Sequence, residues 1–233
     1  MTPRPSLRGA AVDLLMSSAD SSAILVAIGP YTNLAEIEEA RPGVLATCSV
    51  TLMGGWVDPL TADLPQWGPG MDWNIQCDTT AALRVFEAVH DAVLVTVPAA
   101  LRAHLRRSHL ARLEASGPIG RLLARQARAH AADHRMSELA RGHAGLPDDL
   151  LNVHYDPVAC AVALEWPGVT LTTIGLVPTV EDEELRFARA DDDPGAKPLR
   201  VVLDVDGSAF SDAWLTAIER AESSDGSATE PVL

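Results

Sequence analysis

Cysteine is scarce in this 233-residue chain: Cys48, Cys77 and Cys160 are its whole complement. They are odd in number, form no C-x-x-C pair and have no base beside them in sequence. They therefore read as small buried hydrophobes of a reducing compartment rather than as a disulfide framework or a nucleophile. Long apolar runs are missing too. None approaches the roughly 20 residues that span a bilayer, and Asp13 interrupts the only apolar stretch near the start, so neither a membrane span nor a signal peptide is expected and the cytoplasm is the default. Positive charge is short as well, with 18 Lys and Arg against 32 Asp and Glu, a formal net charge of −14. Such a surface repels phosphate backbones and excludes nucleic acid as the natural partner. A neutral nucleoside or sugar is not excluded.

What is present is a folded, sizeable core. Hydrophobic residues make up 47 % of the chain, and the length suits one α/β domain over 1–222, with the Ser/Asp/Gly-rich 223–233 as a frayed, disordered tail. Residues 7–18 carry Leu7, Ala11, Leu14 and Leu15 at helical spacing. Ala23 to Ile28 is a continuous apolar run of strand length, as for a strand covered on both faces, and Gly29-Pro30 ends it. Thr32-Asn33 can cap a helix over 34–40. A second apolar run, Val50 to Met53, stops at Gly54-Gly55. Strand, helix, strand at this spacing predicts a βαβ unit in an open, mostly parallel sheet flanked by helices. Residues 54–73 form a long irregular loop after the C-terminal end of a strand, the edge at which such sheets bind ligands.

Further on, Asp78 can cap a helix over 79–89, and Ala92 to Val97 is the next strand. Residues 98–142 read as helical and hold half of the chain's Lys and Arg, taken as a solvated helix face. His130 and His134 share a helix face there, but without the zincin glutamate or a third ligand they read as surface histidines. Asp156-Pro157 opens another helix. Val169 to Ile174 and Leu199 to Leu203 are late strands, and Phe210 to Ala221 a terminal helix.

Three stretches carry chemistry: VAIGPYTNLAEI (Val26 to Ile37); MGG (Met53 to Gly55) with MDWNIQCDTTAA (Met71 to Ala82); and HYDPVACAVAL (His154 to Leu164). With the closing LRVVLDVDGSAF (Leu199 to Phe210), they resemble in order the nucleoside hydrolase (inosine–uridine-preferring) family, which shows G-P-L-T-N-L, M-G-G, E-[FW]-N-I-x-x-D-P-x-A-A and D-P-[VL]-A-x-A. The resemblance implies hydrolysis of the N-glycosidic bond of ribonucleosides with a bound calcium ion. An oxocarbenium-like transition state requires that the ribose hydroxyls be gripped, and calcium takes oxygen ligands and can carry the attacking water.

Carried over by position, the resemblance places Asp156 on calcium and near the ribose, where a helix cap is its other role. The backbone carbonyl of Ile28 falls on the metal. Asn74 matches the ribose-binding asparagine, Asp72 stands where the family has glutamate, and Gln66 falls at a further sugar-contacting position. Tyr155 occupies the place of a histidine that protonates the leaving base, with His154 one residue earlier; these are the leaving-group candidates.

One family feature has no counterpart. The D-x-D-x-G-x-D-D stretch that supplies most calcium ligands and the water-activating base is not found in Met1 to Ala23, whose acids are Asp13 and Asp20. The acidic runs Glu181 to Glu184 and Asp191 to Asp193 read as solvated turns, not replacements. The expectation is thus an N-terminally truncated nucleoside hydrolase-like fold, with an apolar face or edge exposed unless covered. It would self-associate or pair with a chain supplying the segment. Two functions stay open: an N-ribosyl hydrolase, and a non-catalytic ribose-binding or subunit-pairing relative.

Overall fold

The computed structural model describes residues 9–57 and 59–225, with backbone alone at 224 and 225. The rest of the expected tail and residues 7–8 of the first expected helix lie outside the described residues. In chain order the elements are α1 (Ala10–Asp20), β1 (Leu25–Ala27), α2 (Thr32–Ala40), β2 (Ser49–Met53), α3 (Trp73–Gln76), α4 (Thr79–Ala88), β3 (Asp91–Val95), α5 (Val97–Ala100), β4 (His104–Arg106), α6 (Leu110–Ser116), α7 (Pro118–Asp133), α8 (Met136–Gly142), β5 (Leu150–Val153), α9 (Tyr155–Ala163), β6 (Val169–Glu181), β7 (Glu184–Arg189), β8 (Lys197–Val205) and α10 (Gly207–Asp225). The described residues divide into two compact units, one within 1–59, 67–99 and 159–203, the other within 60–66, 100–158 and 204–233.

The first unit is built on a mostly parallel sheet of strand order β1-β2-β3-β8-β6-β7. β1, β2, β3 and β8 run parallel in register, Leu25 opposite Val50 and Thr51 opposite Val93. The open, mostly parallel α/β architecture expected from the sequence is what forms. Leu34 and Ile37 of α2, Val85 and Phe86 of α4 and Leu52 and Leu94 of the strands share one core. Asp78 caps α4 by accepting from the Ala81 N–H at 3.0 Å, as its position before a helical run predicts. The expected Thr32-Asn33 cap does not form. Helix α2 already starts at Thr32, and the Thr32 hydroxyl instead donates to the Asp78 carboxylate at 2.6 Å.

Strand β1 departs from expectation. A continuous apolar run suggested cover on both faces, yet only Leu25 is buried, while Ile24, Val26 and Ile28 are 51 %, 37 % and 45 % exposed. It stands at the end of the strand order, and among the described residues no strand pairs with its other side. The exposed apolar edge expected of this sheet is therefore present. The sequence also missed β7. Asp182 and Glu183 adopt positive φ (51° and 68°) and turn β6 back into an antiparallel pair with it. The acidic run Glu181 to Glu184 is this hairpin turn, and Arg186 pairs with Glu181 and Glu184.

The second unit is mainly helical. Leu105, Leu110, Leu113, Ala124, Leu151 and Leu215 form one of its clusters. The all-helical reading of 98–142 is corrected by β4, which pairs antiparallel with β5. Several arginines of that segment pair within the unit: Arg106 binds Asp149, Arg112 binds Asp212 and Glu219, and Arg128 binds Glu114. The last helix is longer than expected and runs to Asp225, so 223–225 are helical rather than tail. Two cysteines also differ from expectation: Cys48 is buried, but Cys77 and Cys160 are exposed. No helix among the described residues is long and apolar enough to cross a membrane.

Candidate functional site

The polar residues of the first unit gather where β2 ends. The Met53 carbonyl accepts from the Tyr31 hydroxyl at 3.0 Å and from the Asn74 Nδ2 at 3.0 Å. Beyond it, Gly54 and Gly55 take φ of +143° and +90°, and a Cβ on Gly55 would stand 2.8 Å from Leu94 Cδ2. Only glycine suits such a turn. The turn is tied to the end of β3 and the start of α5, Gly54 N–H donating to the Val95 carbonyl and Val97 N–H to the Gly55 carbonyl.

Asp72 lies beneath this turn, 3 % exposed. Its Oδ2 accepts from the Gly55 N–H in a short contact, and its Oδ1 accepts from the Ile75 N–H at 3.2 Å, capping α3. Burial raises its pKa above the usual carboxylate range, opposed by the backbone N–H groups of Gly55, Ile75 and Asn74. The acid placed at a sugar-contacting position by resemblance is thus fully engaged with backbone. Asn74 is half-buried, with one donor used and its oxygen available. Ile28 follows β1 directly, its side chain exposed.

The remaining predicted residues belong to the second unit. Gln66 donates through Nε2 to the carbonyls of Thr61 and Leu64, each at 2.8 Å, which ties up its nitrogen within its own loop. His154 is 4 % exposed, its ring against Trp214 (4.6 Å between centroids) and Phe210 (5.4 Å). Burial pushes its pKa down to about 3, with smaller contributions from His109 and His104. The imidazole is thus enclosed and packed against two aromatic rings. Burial holds the proton of Tyr155 more tightly than in a free phenol, the opposite of what an acid near neutral pH needs. Asp156 sits in the first turn of α9, exposed, with its pKa raised by partial desolvation.

Tyr31 was missed by sequence reasoning. The available signal was its place within G-P-Y-T-N-L, where the family pattern has leucine. Its ring is 2 % exposed, and burial, then the charge of Asp72, raises its pKa well above that of a free tyrosine.

Calcium takes about six to eight oxygen ligands, and its affinity rises with their charge. Asp156 offers one carboxylate and Ile28 one carbonyl. Among the described residues no three His, Cys, Asp or Glu side chains gather where they could hold a metal ion. The donors among the described residues do not fit a calcium site by themselves.

In open α/β sheets, the C-terminal end of the strands, where these polar residues collect, is the edge at which ligands bind. Residues 2–212 match the profile of the inosine-uridine preferring nucleoside hydrolases, and the chain belongs to that family. Solved structures with the same fold include a purine-preferring ribonucleoside hydrolase from Gardnerella vaginalis (TM-score 0.75, 21 % identity, 95 % of this chain and 69 % of that one). A plant nucleoside hydrolase gives TM-score 0.69 at 21 % identity, over 94 % of this chain and 70 % of that one. The inosine-uridine preferring nucleoside hydrolase from Bacillus anthracis gives 0.60 at 19 % identity, over 95 % and 67 %. No curated protein matches the sequence.

Proposed function

We infer that the chain recognises ribonucleosides and belongs to the machinery of N-glycosidic bond hydrolysis, giving ribose and free base. The observation that carries this reading is Asn74. In a chain of this family, it sits at the end of β2 with its nitrogen on the Met53 carbonyl, so its oxygen remains to meet a sugar hydroxyl. The reaction adds the oxygen of water to the anomeric carbon, breaks the C–N bond and sends a proton to the departing base. Asn74 supports sugar binding, and by the family motif alone Asp156 would offer negative charge compatible with the developing oxocarbenium ion. The family's calcium is not assigned to the donors of this chain, and no step is drawn through it. The carboxylates that would activate water come, on this reading, from a further segment or a partner chain, and the working compartment is the cytoplasm.

A second reading is favoured by two observations, the inward-facing Asp72 and the tightly held proton of Tyr155. It is a ribose-binding subunit without turnover. The deciding experiment measures ribose release from inosine, uridine and p-nitrophenyl riboside by the 233-residue chain, with calcium and with chelator, beside calorimetric binding of inosine. Turnover lost in Asp156→Ala supports the hydrolase. Binding without turnover supports the second reading, and neither binding nor turnover by the folded chain overturns both.

A further inference from the structure

The polar cluster at the end of β2 fixes more than a turn. A peptide carbonyl can only accept. That of Met53 is met by two donors, the Tyr31 hydroxyl and the Asn74 nitrogen, each at 3.0 Å. Facing an obligate acceptor, the Asn74 carboxamide must present its nitrogen, which turns Oδ1 the other way. Asp72 acts on the same turn from beneath, with one oxygen on Gly55 N–H and the other on Ile75 N–H. Both oxygens are therefore needed, and an amide of the same shape would set N–H against N–H at one of them. Space is equally constrained: a Cβ on Gly54 would meet Tyr31 Oη at 3.0 Å, Ile75 Cγ1 at 3.1 Å and Asp72 Oδ2 at 3.2 Å. Tyr31, Asp72 and Ile75 thus enclose the turn whose carbonyl orients Asn74.

Resting on the nucleoside reading above, the geometry points to Tyr31 and Asp72 as positioning residues: they hold the Met53–Gly55 turn so that Asn74 meets the sugar as an acceptor, taking a hydrogen bond from one ribose hydroxyl. Neither touches the sugar. The polarity has a consequence, because a ligand whose hydroxyl at that position is methylated can still accept but no longer donate.

The test uses the full chain labelled with 15N-asparagine. Asn33, Asn74 and Asn152 are its only asparagines, so three carboxamide signals are expected, and Asn74→Ala assigns one. Tyr31→Phe and Asp72→Asn should each shift the Asn74 signal and speed its hydrogen exchange while Asn33 and Asn152 stay in place. An Asn74 signal unmoved by Tyr31→Phe overturns the positioning role, and this arm stands even where Asp72→Asn fails to fold. Calorimetry with inosine should show about three- to tenfold weaker binding to Tyr31→Phe, the scale of one hydrogen bond. Asn74→Asp, which cannot donate to the Met53 carbonyl, should bind weakest; undiminished binding there overturns the assigned polarity. Inosine methylated on the 2′-, the 3′- or the 5′-oxygen should lose affinity at one of the three positions, and equal binding of all three and of inosine overturns it as well. Absence of any inosine binding by the folded wild-type chain overturns the ribose assignment together with the nucleoside reading, while the asparagine signals still decide the positioning role.

Discussion

Asp72 in the first unit and Asp156 in the second are both carboxylates marked by family motifs, and they are held in opposite ways. Asp72 is buried, with each oxygen taken by a backbone N–H. Asp156 lies exposed in the first turn of α9. A carboxylate committed to backbone donors has lost the freedom to meet a ligand and has become part of the scaffold. One at a helix start in contact with solvent keeps that freedom and contributes little to the fold. The same acid is thus a structural brace in one place and a solvent-facing group in the other, and burial separates the two.

The largest effect that would break this comparison is in stability. Asp72→Ala strands the Gly55 N–H and removes the α3 cap, and should cost about 3 kcal/mol in urea unfolding. Asp156→Ala removes only a favourable charge near a helix start and should cost under about 1 kcal/mol. Equal losses would show that the two carboxylates are not differently employed.

A second effect, of similar size at low pH, belongs to His154. Its pKa falls from 6.5 to about 3 on folding, so the unfolded chain binds the proton that the folded chain refuses. The stability this contributes is complete above pH 6.5 and is lost as pH falls toward 3, on the order of 3 kcal/mol by pH 4. His154→Phe, which keeps a ring beside Trp214 and Phe210, should flatten the pH dependence of the melting temperature over that window. An unchanged slope would remove His154 from the account.

Smaller again is Gly55→Ala, where a φ of +90° and the 2.8 Å approach to Leu94 should together cost about 2 kcal/mol. The smallest is Arg112→Ala. Its bonds to Asp212 and Glu219 lie at the surface, so a loss of about 0.5 kcal/mol that shrinks in added salt is expected. A loss as large as that of Asp72→Ala would mean that surface charge, not the buried turn, dominates.

Several of these features were legible in the sequence because they depend on neighbours along the chain. The run Val50 to Met53 followed by Gly54-Gly55 is β2 and its turn, and Asp78 before Thr79 is a helix cap. Other features depend on partners far away in sequence. Thr32 looked like a cap, but its hydroxyl donates to the carboxylate of Asp78, 46 residues on. Strand β4 is short and lies in an Ala- and Arg-rich stretch, and only pairing with β5 makes it a strand. The apolar run at β1 promised burial on both faces, yet burial is conferred by neighbours, and the described residues supply them on one side.

The candidate site divides in the same way. Motifs in order marked Asn74, Asp72 and Asp156, since residue type and spacing survive in a linear text. They gave no indication that Asp72 faces inward, that Gln66 holds its own loop, or that Tyr31 stands behind the Met53 carbonyl. The sequence by itself determined the family, the parallel α/β frame and the glycine turn, because hydrophobic runs, caps and positive-φ glycines act over a few residues. Only the tertiary structure decided which polar atoms remain available to a ligand, because hydrogen bonds to buried backbone are settled by atoms that meet across the fold.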